Sequence, residues 1–501
     1  MKKIFKYTLA AAASTCLLSA CNLDLVPNSA IAYSPAETLI QTQANLNALE
    51  NGMLASFRSL SLGEFDVTEE VMLDGFNAVV DYGNNYGSEH RTDNSFTSAN
   101  YEVEDYWSGN YGAIKNYNIF IANADESNAD IRAKARVVKG EAFFFRAYSY
   151  LQLARHFGKA YDAASAASEL CVPLVLVYEQ NEKPARATVA EVYASIKSDL
   201  DSAAVLLAGV KGAVRSQKPT IDAVNALYAR YYIDVKDYAK AATYAHKVID
   251  AGTYKLASSA KEMEAEYTDD KGTEPIMQMY CTLAEYGNST TTWTNTSSEK
   301  SVPEGYVLAP YFLPTKTLVD SYEASDVRLA WFSNTLSTRI SGSIRAGEFY
   351  SFVKFIGNPA LTSTPVPNGR TSPKPLKIAE MYLIAAEANL AAGNTTAALV
   401  DLNALQAARG ASQTVATKEN IQKEWFKETV GEGLRLSCLK RWGVGFSGRV
   451  CQDGASNVVL HGGDYDQKVW AANDFHFQWP IPSHEMKINK NLVQNTGYDT
   501  L

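Results

Sequence analysis

The chain has 501 residues, of which 46% are apolar and 20% charged, and carries a formal net charge of −9. That length buries one large core or two modest ones, and the acidic balance, with no Lys/Arg-rich run, argues against nucleic acid as a partner. Three lysines fall within the first twenty residues, so the remainder is more acidic still.

The chain opens with Lys2, Lys3 and Lys6, followed by an apolar stretch rich in Ala and Ser. That stretch is too short to persist as a bilayer-spanning helix and reads as a secretory signal over residues 1–20. Leu18-Ser19-Ala20-Cys21 then has the apolar-small-small-Cys form at which bacterial lipoproteins are cut and acylated. Several acyl chains hold firmly, because each buried methylene contributes about 0.8 kcal/mol. Cys21 is the expected lipidation site, residues 21–35 a tether, and residues 36–501 a single domain. No later stretch approaches the length of uncharged apolar sequence a membrane helix needs, so the expectation is a protein anchored to a membrane without spanning it.

Residues 36–60 are expected to begin a helical scaffold that continues over about 119–256 and 376–445. Within it, Asp222–Gly252 and Leu376–Gly410 each read as two apolar-faced helices with glycine stops at Gly252, Gly393 and Gly410. The two segments superpose: Ala229 and Ala386 are each followed twelve residues later by another small residue, Ala241 and Ala398. Small residues at this offset mark tetratricopeptide-type pairs, where backbones approach closely. Lys139–Tyr161 reads as the first helix of another pair, and Ala190–Leu207 as its second after a long insert.

Residues 61–118 and 257–375 are less regular and rich in Gly, Asn, Ser, Thr and Tyr, and read as a loop-rich lobe; residues 446–501 form a C-terminal segment. Long loops are usually functional or disordered, and the aromatics Tyr82, Tyr86, Trp293 and Tyr306 argue against simple disorder. Sugar binding needs flat aromatic faces with polar groups placed for hydroxyls. The candidate ligand-binding residues are Asp81, Tyr82, Asn84, Tyr86 and Arg91, with Asn85 beside them, and Trp293 with Asn295. Trp107 reads as a packing residue on an amphipathic helix.

Catalytic motifs are missing: there is no H-E-x-x-H, G-x-S-x-G or P-loop pattern. Gly443–Gly448 matches G-x-G-x-x-G, but it follows a helix instead of a strand and reads as a turn. Glu69, Glu70, Asp74, Glu102, Glu104 and Asp105 include spacings open to a glycosidase pair, as chance alone provides among 55 acidic residues. No catalytic residue, metal site or cofactor is assigned, although the scattered carboxylates leave calcium open. Cys438 and Cys451 are open to either a disulfide or two free thiols.

Three stretches, in this order, resemble the RagB/SusD family of surface nutrient-binding lipoproteins of Bacteroidetes. They are Lys377–Ala388 with Ala407-Ala408-Arg409-Gly410; Trp425–Arg435 continuing to Leu439-Lys440-Arg441-Trp442-Gly443; and Trp479-Pro480-Ile481-Pro482 with Glu485, Asn489, Asn491, Gln494, Asn495, Gly497 and Tyr498. The resemblance implies a mostly α, SusD-like fold: a scaffold of tetratricopeptide-type helix pairs plus an irregular lobe with few short strands. It also implies a surface-exposed, outer-membrane-anchored protein without enzymatic activity. Such a protein captures oligosaccharides, or oligopeptides in some members, and delivers them to a SusC/RagA-type TonB-dependent transporter. A helical-repeat envelope scaffold without a small ligand is the competing reading. Glu387, Glu428, Arg435 and Arg441, within the family motifs, look like structural ion-pair members. The family often has an acidic residue where Ser437 or Cys438 stands, so a local salt bridge is expected to be missing.

Overall fold

The computed structural model describes residues 39–499 apart from 62, 63, 286–292 and 294. The signal, Cys21 and the tether lie outside the described residues. Eight long helices form the frame: α1 Gln43–Leu60, α2 Tyr101–Asn123, α3 Arg132–Phe157, α4 Val189–Leu206, α5 Ile221–Asp234, α6 Tyr238–Ile249, α7 Ile378–Ala391 and α8 Thr395–Ala408. Side-chain oxygens start several of them. Thr42 accepts from the Asn45 amide, Thr188 from Glu191, Thr220 from Ala223 and Asp237 from Lys240, each satisfying a donor the helix cannot. Gly252 and Gly393, at φ of 66° and 84°, turn the chain after α6 and α7, a conformation that is easiest without a Cβ.

Each helix packs on the next in this order, and α6 packs directly on α7 although a long excursion separates them in sequence. The expected pairs α5/α6 and α7/α8 are present, with Ala229, Ala241, Ala386 and Ala398 all fully buried. The third pair is α3 and α4, its insert tied down by hydrogen bonds from Tyr150 and Asn118 to the Val175 carbonyl. Bidentate ion pairs lace successive layers: Arg146 to Asp199, Arg155 to Asp234 and Arg230 to Glu380.

One boundary differs from expectation. The stretch 61–118 is not uniformly loop, because α2 belongs to the frame, burying Val103, Tyr106, Trp107 and Tyr117 against α1 and α3. Its glycines, asparagines and tyrosines dilute the apolar periodicity, but the face toward the frame buries Asn110, Asn118 and Asn123 along with its rings.

The excursion after α6 leaves and returns through an antiparallel pair, Pro275–Met277 with Leu376–Lys377. Between these the chain supplies Trp293, Phe312, Trp331, Phe352 and Phe355 to a second core, which Phe76 joins from the stretch between α1 and α2. Strand Phe76–Ala78 pairs with Phe312–Pro314, and a four-stranded sheet runs in the order Thr296–Ser298, Tyr306–Leu308, Thr338–Ile340, Ser343–Arg345. Helix α9, Lys418–Glu428, places Ile421 and Trp425 in the first core and Phe426 in the second, and α10, Arg435–Trp442, packs Leu436 and Leu439 into the first. Here the motif residues are ion-paired as expected: Glu387 with Arg441, Glu428 with Arg409 and Arg328, and Arg435 with Asp74. At the two positions where the resemblance leads to an acid being expected, Ser437 donates to the Leu434 carbonyl and the Cys438 sulfur accepts from Arg441 at 3.5 Å. Cys438 and Cys451 are free thiols. Gly443, at φ 63°, caps α10 and leads into strand Phe446–Ser447, so the glycine-rich run is a turn. No described helix is long and apolar enough to cross a membrane.

Candidate functional site

Strand Phe76–Ala78 ends in the loop Val80–Tyr86, which leads into the short helix Gly87–Arg91. Gly83, Asn84, Tyr86 and Thr92 all adopt left-handed φ, at 64°, 59°, 50° and 43°. For tyrosine and threonine this costs of order 1–3 kcal/mol each, a kind of strain that clusters at ligand clamps. Neighbouring segments hold the loop. Asp81 accepts from the Ser341 amide at 2.8 Å, at the turn of the Thr338–Arg345 hairpin. The Val80 amide donates to the Val458 carbonyl, and the Leu460 amide to that of Ala78.

Within the loop, Arg91 is the organiser. Its guanidinium donates to the Tyr82 hydroxyl at 2.9 Å, to Asn84 Oδ1 at 2.8 Å and to Asp93 at 2.9 Å. The Tyr82 ring is buried, edge-on to Phe312 with centroids 6.0 Å apart. Burial and a hydrogen bond with Tyr465 push its phenol up to about 12, so it stays protonated. Asp81, Asn84 and Asn85 are exposed and Tyr86 is half-buried. The result is a surface of amides, phenols and one neutralised guanidinium, suited to hydroxyl groups.

Beneath the loop, His90 Nδ1 donates to the Val71 carbonyl at 2.8 Å, which leaves Nε2 to accept from Arg449. Burial and the Arg449 charge hold this imidazole well below its ordinary value, so it is neutral. Glu89, on the same short helix, is buried against Glu102; burial and that second carboxylate push it up to about 7.

The structure brings Asp81, Tyr82, Asn84, Tyr86 and Arg91 together but separates them from Trp293. That indole is fully buried, 4.2 Å from the Phe76 ring and behind Phe312, and offers no face to a ligand. Its Thr, Asn and Ser neighbours in sequence suggest a surface position, but the second core draws in the one large apolar ring of that stretch. Asn295 is half-buried beside it, and its carbonyl accepts from the Ala309 amide at 2.5 Å. Sequence reasoning missed Asp93, Ser95 and Tyr465. The last lies in His461–Trp470, whose Gly, Asp and Tyr content matches that of the 81–91 loop and is the signal that marks it.

Of the carboxylates whose spacing is open to a glycosidase pair, Glu69, Glu70 and Asp74 are engaged within the fold. Glu69 accepts from the Leu436 amide and pairs with His156, Glu70 accepts from the Gly433 amide, and Asp74 holds Arg435. Among the described residues no group of three or more potential ligands is arranged to hold a metal ion.

Two family models match the chain. One, described as starch-binding and associating with the outer membrane, covers residues 23–233; the other, the SusD family, covers residues 332–498. The SusD-like protein P2 of Formosa agariphila is 25% identical, over 95% of this chain and 96% of its own. The starch-binding protein SusD of Bacteroides thetaiotaomicron is 24% identical over 77% and 76%. Among solved structures, a putative sugar binding protein of Bacteroides vulgatus superposes with a TM-score of 0.74 at 23% identity, covering 92% of this chain and 100% of that one. A laminarin binding SusD-like protein does so at 0.72 and 20%, covering 91% and 100%.

Proposed function

Because the chain belongs to the SusD/RagB family of Bacteroidetes, we propose that it captures oligosaccharides at the outer membrane and hands them to a SusC-like TonB-dependent transporter. The observation that carries this reading is the Tyr82–Asn84–Arg91 cluster. Its strained loop is held by two separate segments, 338–345 and 458–460, and its exposed face carries donors and acceptors but no activated nucleophile. Binding without catalysis is the corresponding role, since Arg91 is neutralised by Asp93 and Glu69, Glu70 and Asp74 are engaged within the fold. Anchoring through Cys21 follows from the lipobox and the basic, apolar stretch before it. The named ligands of the relatives, starch and laminarin, are neutral glucans, which agrees with a site whose single cation is already paired.

The test is a glycan array and a peptide array probed with the protein starting after Cys21, followed by calorimetry on hits. Asn84→Ala and Arg91→Lys should each weaken a glycan hit by about tenfold, or 1.4 kcal/mol, with unchanged far-UV spectra. Glycan affinity untouched by both, or hits confined to peptides, would sink the reading. Affinity purification of the lipidated form should recover a TonB-dependent barrel.

A further inference from the structure

A second concavity lies away from that loop, on the helical frame. It is a cleft of about 530 Å³ between the segment that follows α3, the α5–α6 corner, α10 and residues 472–478 of the C-terminal segment. Its volume falls within the roughly 300–1,000 Å³ of small-molecule sites. Phe475, 40% exposed, and half-buried Tyr161 offer ring faces, and Asn473 and Gln478 offer amides.

The cleft is lined by three lysines and two aspartates. Asp474 is held by the backbone amide and ring nitrogen of His476, and Asp162 accepts from the Ala164 amide. Lys159 pairs with Glu169 at 2.7 Å. Two cations remain. Lys236 sits at the α5–α6 corner with φ 62° and makes no ion pair among the described residues. The Lys440 ammonium donates to the carbonyls of Arg155 and Gly158, where α3 ends, and has no carboxylate within ion-pair reach among the described residues. Those carbonyls and the negative pole of the helix hold the ammonium in place, but they carry no full charge and leave one of its three donors unused.

We propose that this cleft is a second saccharide site, and that it takes a sugar bearing a carboxylate, a uronic acid. The carboxylate lies between Lys236 and Lys440, the ring stacks on Phe475 or Tyr161, and the amides meet its hydroxyls. This gives the molecule two faces of different chemistry: an amide- and phenol-bearing surface at the Tyr82 loop and a cleft on the frame with two lysines that make no ion pair among the described residues.

The probe is trigalacturonate, titrated calorimetrically against the whole protein, with maltotriose as the neutral counterpart. Trigalacturonate should bind with an affinity that falls as salt rises, and maltotriose should not displace it. Lys236→Ala and Phe475→Ala, both surface changes, should each weaken trigalacturonate by about fivefold or more, while Asn84→Ala leaves it unchanged. Lys440→Met should abolish binding if the variant folds, and the two surface variants decide the matter if it does not. Absence of trigalacturonate binding, binding that survives Lys236→Ala and Phe475→Ala, or binding lost on Asn84→Ala overturns the proposal. Neutral-glycan binding at the Tyr82 loop is read with different variants, so the two sites fail or stand separately.

Discussion

Trp293 and Tyr86 come from loop sequences of similar composition and end in opposite surroundings, one sealed in the second core and the other at its rim. Trp293→Ala should therefore lower stability by about 3–5 kcal/mol, as large-to-small core changes do, and this should be evident in a denaturant melt before any effect on ligand affinity. Gly87 behaves differently. A Cβ there would overlap the Asn84 side-chain amide and crowd the Arg91 guanidinium. Gly87→Ala should displace Asn84 from Arg91 and weaken glycan affinity, while changing stability by less than about 1 kcal/mol; calorimetry paired with a thermal melt checks both halves. Composition points to Asp81, Tyr82, Asn84 and Arg91, because amides, phenols and glycines in a long stretch mark a shaped loop. It does not reveal Tyr465 as their partner, since that contact joins residues almost four hundred positions apart.

At the scale of single elements, two helices carry titrating groups with opposite origins. Glu89, on the helix Gly87–Arg91, is pushed up to about 7 from 4.5 by burial and by Glu102. A carboxyl raised in this way supports the fold fully below its unfolded value and loses that support as pH rises through about 7. Glu89→Gln removes the ionisation, so its stability relative to the parent should rise by about 1–3 kcal/mol between about pH 5 and about pH 8; chemical denaturation at a series of pH values measures this. His246, on α6, is raised to about 9 by its hydrogen bond to Asp401 on α8. That contribution is complete below about 6.5 and disappears as pH rises through about 9. Because the ring is part-exposed, His246→Asn should cost under about 1 kcal/mol at neutral pH and nothing above about pH 10. The helices themselves are legible wherever small residues recur at fixed offsets, as in α5 to α8. The pattern is weak for α2, whose buried face is made of Tyr, Trp and Asn as much as of aliphatic residues. The short strands are not legible, since two or three residues carry no period and pair across the excursion.

Over the whole molecule, a buried network of charge links the two cores. Glu428 on α9 binds Arg409 from the end of α8 and Arg328 from the excursion, while Arg328 also meets Asp326 and Glu424, and Arg409 meets Glu274. Burial alone would raise the Glu428 carboxyl, but the two arginines hold it well below the usual carboxylate range. Removing one partner of such a set leaves uncompensated charge. Glu428→Gln should cost about 3–5 kcal/mol, and a fluorescence melt should show the tryptophans of the second core released before helicity is lost.

The oriented Tyr82–Tyr465 pair has a consequence for how the protein comes into being. A chain leaving the ribosome presents Tyr82 and Arg91 long before Tyr465, and the frame helices through α8 emerge in between. The proposed glycan site is thus complete only once residue 465 has emerged, and a product cut short before it would carry the frame helices and the loop without one of the hydrogen-bond partners of Tyr82.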